Sequence, residues 1–247
     1  MMKKHFILTI LLFGFLGANA QNTPNANTIL EKVDKNMSAK SQIITAKMEI
    51  NSARATRTME MKIWTVGDEK SFTEYLAPSR DKGTKMLKLD KQLWIYSPST
   101  DRTLQISGHM LRQSVMGSDM SYEDMMTERK MTEQYNASVT GEEFIDGRKC
   151  WVLTLTAVVK DINYYSQKIW VDQERFVTLK AQLYAKSGKQ LKEITFSNVE
   201  KLQGRWYPKV FVYKDVLKDG KGTKMTINSI QLDTKIPESV FNKVNLK

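Results

Sequence analysis

Met59-Glu60-Met61-Lys62-Ile63 decides how this chain folds. Apolar and charged side chains alternate at every step. A period of two puts Met59, Met61 and Ile63 on one face of an extended strand and Glu60 and Lys62 on the other, whereas a helix would scatter them. The same alternation returns at Met48 and Ile50, at Trp151, Leu153 and Leu155, at Val177, Leu179, Ala181 and Leu183, and at Trp206, Pro208, Val210 and Val212. Between these runs stand Gly67-Asp68, Asp146-Gly147, Ser187-Gly188, Gln203-Gly204 and Asp219-Gly220. Such pairs accept the positive φ that tight hairpins require. The pattern predicts a long antiparallel meander of about ten to twelve strands.

Three segments leave that period. Ile29, Leu30, Val33 and Met37 share one helical face, with Thr28 and Glu31 at capping-box spacing, which predicts an amphipathic helix from Thr28 to Ser38. From Gly108 to Arg129 the chain is rich in methionine, and two short helices joined by a Gly117 loop are expected there. Pro237, followed by Val240, Phe241 and Val244, predicts a short closing helix. Lys82-Gly83-Thr84-Lys85-Met86 recurs as Lys221-Gly222-Thr223-Lys224-Met225, a similarity that two hairpin turns explain better than a repeated half.

The N-terminus reads as a leader. Lys3 and Lys4 precede an apolar run from Phe6 to Leu16, and Ala18-Asn19-Ala20 has the small-x-small pattern of a signal-peptidase site. Residues 1–20 are therefore expected to be removed after Ala20 on export to the periplasm. Gln21, not a lipid-accepting cysteine, follows the cut, and residues 21–247 read as one domain. Without Lys3 and Lys4 the formal charge of +11 falls to +9. That charge suits anionic headgroups during transient contact with a membrane surface, although an ordinary solvated surface accounts for it equally well. Nucleic acid is not an expected partner for an exported chain. The single cysteine, Cys150, lies in an apolar strand and reads as a buried thiol.

Much chemistry is missing. With His109 alone after the leader and one cysteine, there is no usual zinc set and no Ser-His-Asp or Cys-His system. Neither phosphate-loop pattern occurs, and no cofactor or metal is expected. Asp119, Glu123 and Asp124 are the best carboxylates for acid–base work, but helix capping explains them better. The chain therefore reads as a non-enzyme.

What is abundant is methionine, fourteen in all. Its flexible thioether suits a surface that accepts ligands of variable shape, and also serves as plain core filler. A mainly β (α+β) architecture follows: a strongly curved antiparallel sheet embracing a helical plug, with an apolar pocket between them. Met59, Met61, Ile63, Leu87, Leu89, Trp94 and Tyr96 are the expected cavity wall. Met116, Gly117, Met120, Ser121, Asp124, Met125 and Met126 are the expected lid. Gly117 can absorb a large φ/ψ change, and Ser121 with Asp124 forms a capping box, so this run reads either as a hinged gate or as a well-capped connector.

Pro78-Ser79-Arg80-Asp81-Lys82-Gly83-Thr84, then Leu93-Trp94-Ile95-Tyr96-Ser97-Pro98, then Gly117-Ser118-Asp119-Met120-Ser121-Tyr122-Glu123-Asp124-Met125 form a further series. It resembles the bacterial outer-membrane lipoprotein-sorting proteins of the LolA/LolB-like superfamily, from about Ile43 to the C-terminus. The resemblance implies a half-open β-barrel covered by helices, an apolar cavity for acyl chains of lipoproteins or lipids, and delivery toward the outer membrane by a monomer working with an inner-membrane transporter. A lipid or lipoprotein sensor of the same fold, or a transporter accessory protein, is the alternative; a carboxylate-dependent secreted hydrolase is a more distant one. In such carriers an early-strand arginine ties the lid shut. Arg54 and Arg57 stand near that position, and neither is given the role from sequence.

Overall fold

The alternation does produce strands. A computed structural model describes residues 24–126 and 130–247, so the leader assigned to residues 1–20 lies outside it. Six strands make a first wing: β1 (Ser41–Asn51), β2 (Thr56–Val66), β3 (Lys70–Ala77), β4 (Lys85–Leu89), β5 (Gln92–Ser97) and β6 (Arg102–Ile106). Seven make a second: β7 (Tyr135–Ile145), β8 (Arg148–Ala157), β9 (Ser166–Asp172), β10 (Thr178–Tyr184), β11 (Gln190–Leu202), β12 (Arg205–Asp215) and β13 (Gly222–Leu232). That is more strands than the ten to twelve expected. β4 and β5 bury apolar residues on both faces, as at Met86-Leu87 and Leu93-Trp94, so they show little alternation in sequence.

Within each wing every strand pairs antiparallel with its neighbour in sequence, and β1 pairs with β13 to join the wings, Gln42 facing Leu232 and Asn51 facing Gly222. β6 and β7 remain the two edges, so the sheet curves without closing. Gly222 (φ +88°) admits no other residue easily: a Cβ would lie 2.5 Å from the carbonyl oxygen of Tyr213. Gly83 takes a similar φ of +82°, and both copies of the Lys-Gly-Thr-Lys-Met run lead into a strand, β4 and β13.

The inner face is the one that carries the helical elements. Helix α1 (Ala26–Met37) lays Ile29, Leu30 and Val33 on Trp151, Leu153, Leu155 and Ile169 of the second wing. It starts two residues before the expected Thr28, because Asn25 is the cap and its Oδ1 accepts from Asn27 N at 2.8 Å. The segment between β6 and β7 covers the first wing. It forms three 3-10 turns (Gly108–Arg112, Val115–Gly117 and Glu123–Met126) and a four-residue helix α2 (Met131–Gln134), not the two helices expected. Positive φ at Met116 (+52°) and Gly117 (+79°) breaks any longer helix there. On the outer face, Phe241 and Leu246 of two closing 3-10 turns pack against Phe72, Leu87 and Trp94.

Asp172 holds the β9–β10 turn. Its side chain is fully buried and accepts from Arg148, from the Arg175 guanidinium, and from the backbone N–H groups of Glu174 and Arg175. Burial alone would raise its pKa; the hydrogen bonds, Arg148 first, outweigh burial and hold it at about 2. The turn so fixed leads directly into Phe176 and Val177. Because the folded pKa lies below the unfolded value, the ionised form stabilises the fold above about pH 4, and that gain is lost as pH falls toward 2. Asp172→Asn is expected to cost on the order of 2 kcal/mol at pH 6 in urea unfolding, and the cost should shrink steadily between pH 4 and pH 2.

Candidate functional site

The run from Gly117 to Asp124 is a fastening. Asp119 is buried: its Oδ1 accepts from Asp215 N (3.0 Å) and its Oδ2 from Thr223 Oγ1 (2.8 Å), while its own N–H donates to Thr223 Oγ1 (2.9 Å). One residue of the cover is thereby bonded to the end of β12 and the start of β13. Ser118 Oγ accepts from Met120 N, and Val115 N donates to Met120 O at 2.8 Å, closing a tight loop. Asp124 Oδ2 accepts from Ser121 N (2.7 Å) and Ser121 Oγ from Asp124 N (3.3 Å), the reciprocal geometry of a capping box on a 3-10 turn. Val115 and Tyr122 are buried against β1–β5.

Arg57 on β2 adds a second tie. Its Nη1 donates to the carbonyl of Met116 (3.3 Å), and its Nη2 lies 2.7 Å from Asp81 Oδ1. Arg57 Nε and Asp81 Oδ2 are buried without a hydrogen-bond partner, so this tie is incompletely satisfied.

Met59, Met61 and Ile63 face inward under the cover, in one cluster with Met116, Met125 and Met126. Leu87, Leu89, Trp94 and Tyr96 do not join them: they pack on the outer face with the C-terminal turns. The reason is parity. Met86, Leu93 and Ile95 are the inward residues of β4 and β5, and a shift of one residue changes the face.

A mostly apolar cavity lies between Val33, Asn36 and Met37 of α1, Met120, Asp124 and Met131 of the cover, and the inner face of β9–β12. Its volume is about 330 Å³. Ile169, Ala181, Leu183, Ile194 and Phe196 supply apolar wall, and Phe176 and Val177 line it beside α1. Asn36 fixes that border: its Nδ2 donates to the carbonyls of Arg175 and Phe176, both at 2.9 Å. Of the expected lid residues only Met120 and Asp124 reach this space; none of the expected wall residues does.

One end of the cavity is polar. Lys192 pairs with Asp124 Oδ2, and the Tyr164 hydroxyl donates to Asp124 Oδ1. Burial and then Asp124 raise the pKa of Tyr164, and burial, then Asp124, raise that of Tyr213 as well, so both phenols stay neutral. A bulge obscured part of this wall in sequence. The β9–β10 register shifts between Thr178 and Lys180, so Leu179 turns to an outer cluster with Trp170 while Ala181 faces inward. Among other singled-out residues, His109 is exposed, and Cys150 is buried, with burial and then Asp172 pushing its thiol up to about 11.

A family model described only as an uncharacterized protein matches residues 67–247. The chain belongs to that family. No curated protein matches the sequence. In structure the chain is similar to a DUF1329 family protein from Desulfovibrio piger, with 24% identity, a TM-score of 0.80, and 90% of this chain and 97% of that one covered. A protein domain from Vibrio parahaemolyticus named for outer membrane lipoprotein sorting matches at 24% identity and a TM-score of 0.77, over 90% and 97% of the two chains. A LolA superfamily protein from Nitrosomonas europaea matches at 24% identity and a TM-score of 0.72, over 90% and 99%. The open, helix-covered barrel is thus a fold shared with these proteins.

The Asp119 clamp yields a direct test. Asp119→Ala leaves Asp215 N and Thr223 Oγ1 without their acceptor, which should cost about 1–3 kcal/mol. Hydrogen exchange is expected to speed up at residues 113–125 far more than in β8 and β9, which carry no partner of the clamp.

Proposed function

We propose that the protein is a non-catalytic acyl-chain carrier of the bacterial periplasm, which shields the chain of a lipid or lipidated protein and delivers it toward the outer membrane. The observation that carries this reading is the largely apolar cavity of about 330 Å³ beneath a fastened cover. That volume falls at the lower end of the range for ligand pockets, ~300–1,000 Å³, and suits one chain better than several. Each methylene taken from water contributes roughly 0.8 kcal/mol, so a long chain binds without any specific polar contact. The fold shared with a lipoprotein-sorting domain supports a carrier by analogy of architecture.

Release needs the cover to move locally. Met116, Met125 and Met126 are packed against the first wing, whereas Met120 and Asp124 face the cavity. Opening therefore parts Asp124 from Lys192 on the far side of the Asp119 clamp, while the clamp itself holds. A non-catalytic role is supported by how two of the three candidate carboxylates are used: both oxygens of Asp119 and of Asp124 already accept hydrogen bonds inside the protein. The cationic surface fits transient contact with an anionic leaflet, and an inner-membrane transporter is the proposed source of cargo. No helix of the described residues is long and apolar enough to cross a membrane.

Protein purified from periplasm without detergent is expected to yield a near-stoichiometric acyl lipid or lipoprotein by mass spectrometry, and to pass it to liposomes. Ala181→Trp, which fills the cavity from β10, should abolish that recovery while leaving the circular dichroism spectrum intact. Absence of any acyl ligand from the wild type, together with no binding of fluorescent fatty acids, sinks the proposal. Retention of cargo in the presence of liposomes, with stable capture of a membrane partner, turns the reading to a sensor.

A further inference from the structure

Building on the carrier reading above, we propose that the polar end of the cavity selects the neutral carbonyl of an acyl ester over the carboxylate of a free fatty acid. Lys192 and Asp124 are the charged side chains that line the cavity among the described residues, and they are about 9% and 15% exposed. Their charges cancel. Asp124 is fully engaged, taking the Tyr164 hydroxyl on Oδ1 and both Ser121 N and Lys192 Nζ on Oδ2. The ammonium of Lys192 has three N–H donors and spends one on Asp124; it makes no other hydrogen bond among the described residues. On β12, half-buried Tyr213 pairs with Ile194, on the same inner face as Lys192, and its hydroxyl makes no hydrogen bond among the described residues.

The cavity end thus offers spare donors without spare charge. A carboxylate arriving there would put a second negative charge beside a pair already neutral, in a place where an uncompensated charge is costly. An ester carbonyl asks only for N–H or O–H donors, and its hydrocarbon chain lies along Ile169, Leu183 and Phe196. The same ester occurs in a membrane glycerolipid and in the acylated glyceryl group of a lipoprotein.

The test is competition binding to the full exported chain at pH 7.5 with 1-oleoylglycerol and with oleate, which share one chain and differ at the head. Wild type is expected to favour the ester at least tenfold. Lys192→Met should cut ester affinity about tenfold, and Tyr213→Phe should cut it less. Asp124→Asn, which leaves the lysine charge unbalanced, should reverse the preference toward oleate. Equal affinities in wild type, a preference for oleate, or a ratio untouched by Lys192→Met overturns the ester subsite and leaves the carrier reading standing. Binding of neither ligand overturns both. A diacylglyceryl-cysteine peptide bound more tightly than the glyceride places the ester in a lipoprotein anchor, and the opposite order places it in a membrane lipid; either order supports the subsite.

Discussion

A sheet of thirteen antiparallel strands that curls without joining its edges has an inner apolar face and no partner sheet to bury it. Everything else in the molecule answers to that constraint. β6 and β7, the two edges, are joined by the chain segment that doubles as the cover, and the helix that precedes β1 serves the other wing. Two separate elements therefore fill one curved face. Where they meet, neither fills it completely, and the cavity lies in that gap, between α1, Met120 and Met131, and β9–β12.

The bonds that hold the cover are graded. Asp119 is joined to backbone and hydroxyl donors at the β12–β13 end and has no unmet demand. Arg57 holds the carbonyl of Met116 by a longer contact, and leaves buried atoms unpaired on itself and on Asp81. Asp124 and Lys192 are an ion pair that forms part of the cavity wall itself. A buried pair of this kind contributes little net stability, because desolvation offsets much of the attraction, but separating its members is expensive. The cover is thus firmly hinged at one end, while the contact at the cavity can respond to what the cavity contains. α1 ties the same parts together: Asp34 accepts from the backbone of Met131 and Thr132 at the start of α2, and Asn36 bonds to the carbonyls of Arg175 and Phe176.

Alternation at Met59-Glu60-Met61-Lys62-Ile63 and its counterparts was enough to predict antiparallel strands, because side-chain parity on a strand is a local property. The Ser121–Asp124 box was readable for the same reason: its two hydrogen bonds span three residues. Which face of the sheet a residue covers was not readable in β4 and β5. Leu87 and Met86 are adjacent and equally apolar, and both are buried, one outward under Leu246 and Phe241, the other inward with Met59. Nothing local tells which face each covers, because that depends on which face the distant C-terminus reaches.

The chain's own residues determined the strands, the helix, the turn glycines and the capped run of the cover, all of which rest on contacts within a few positions. Only the tertiary structure decided which inner surface stays unfilled and which polar groups look into it. Lys192 and Asp124 are 68 positions apart, and Asp119 and Thr223 are 104 apart. Their meeting follows from the β1–β13 junction and from the curl of the sheet, which bring distant strands beneath one cover. A bulge at Thr178–Lys180 then chooses the inward residues of β10, a shift of one position that no alternation of side chains announces.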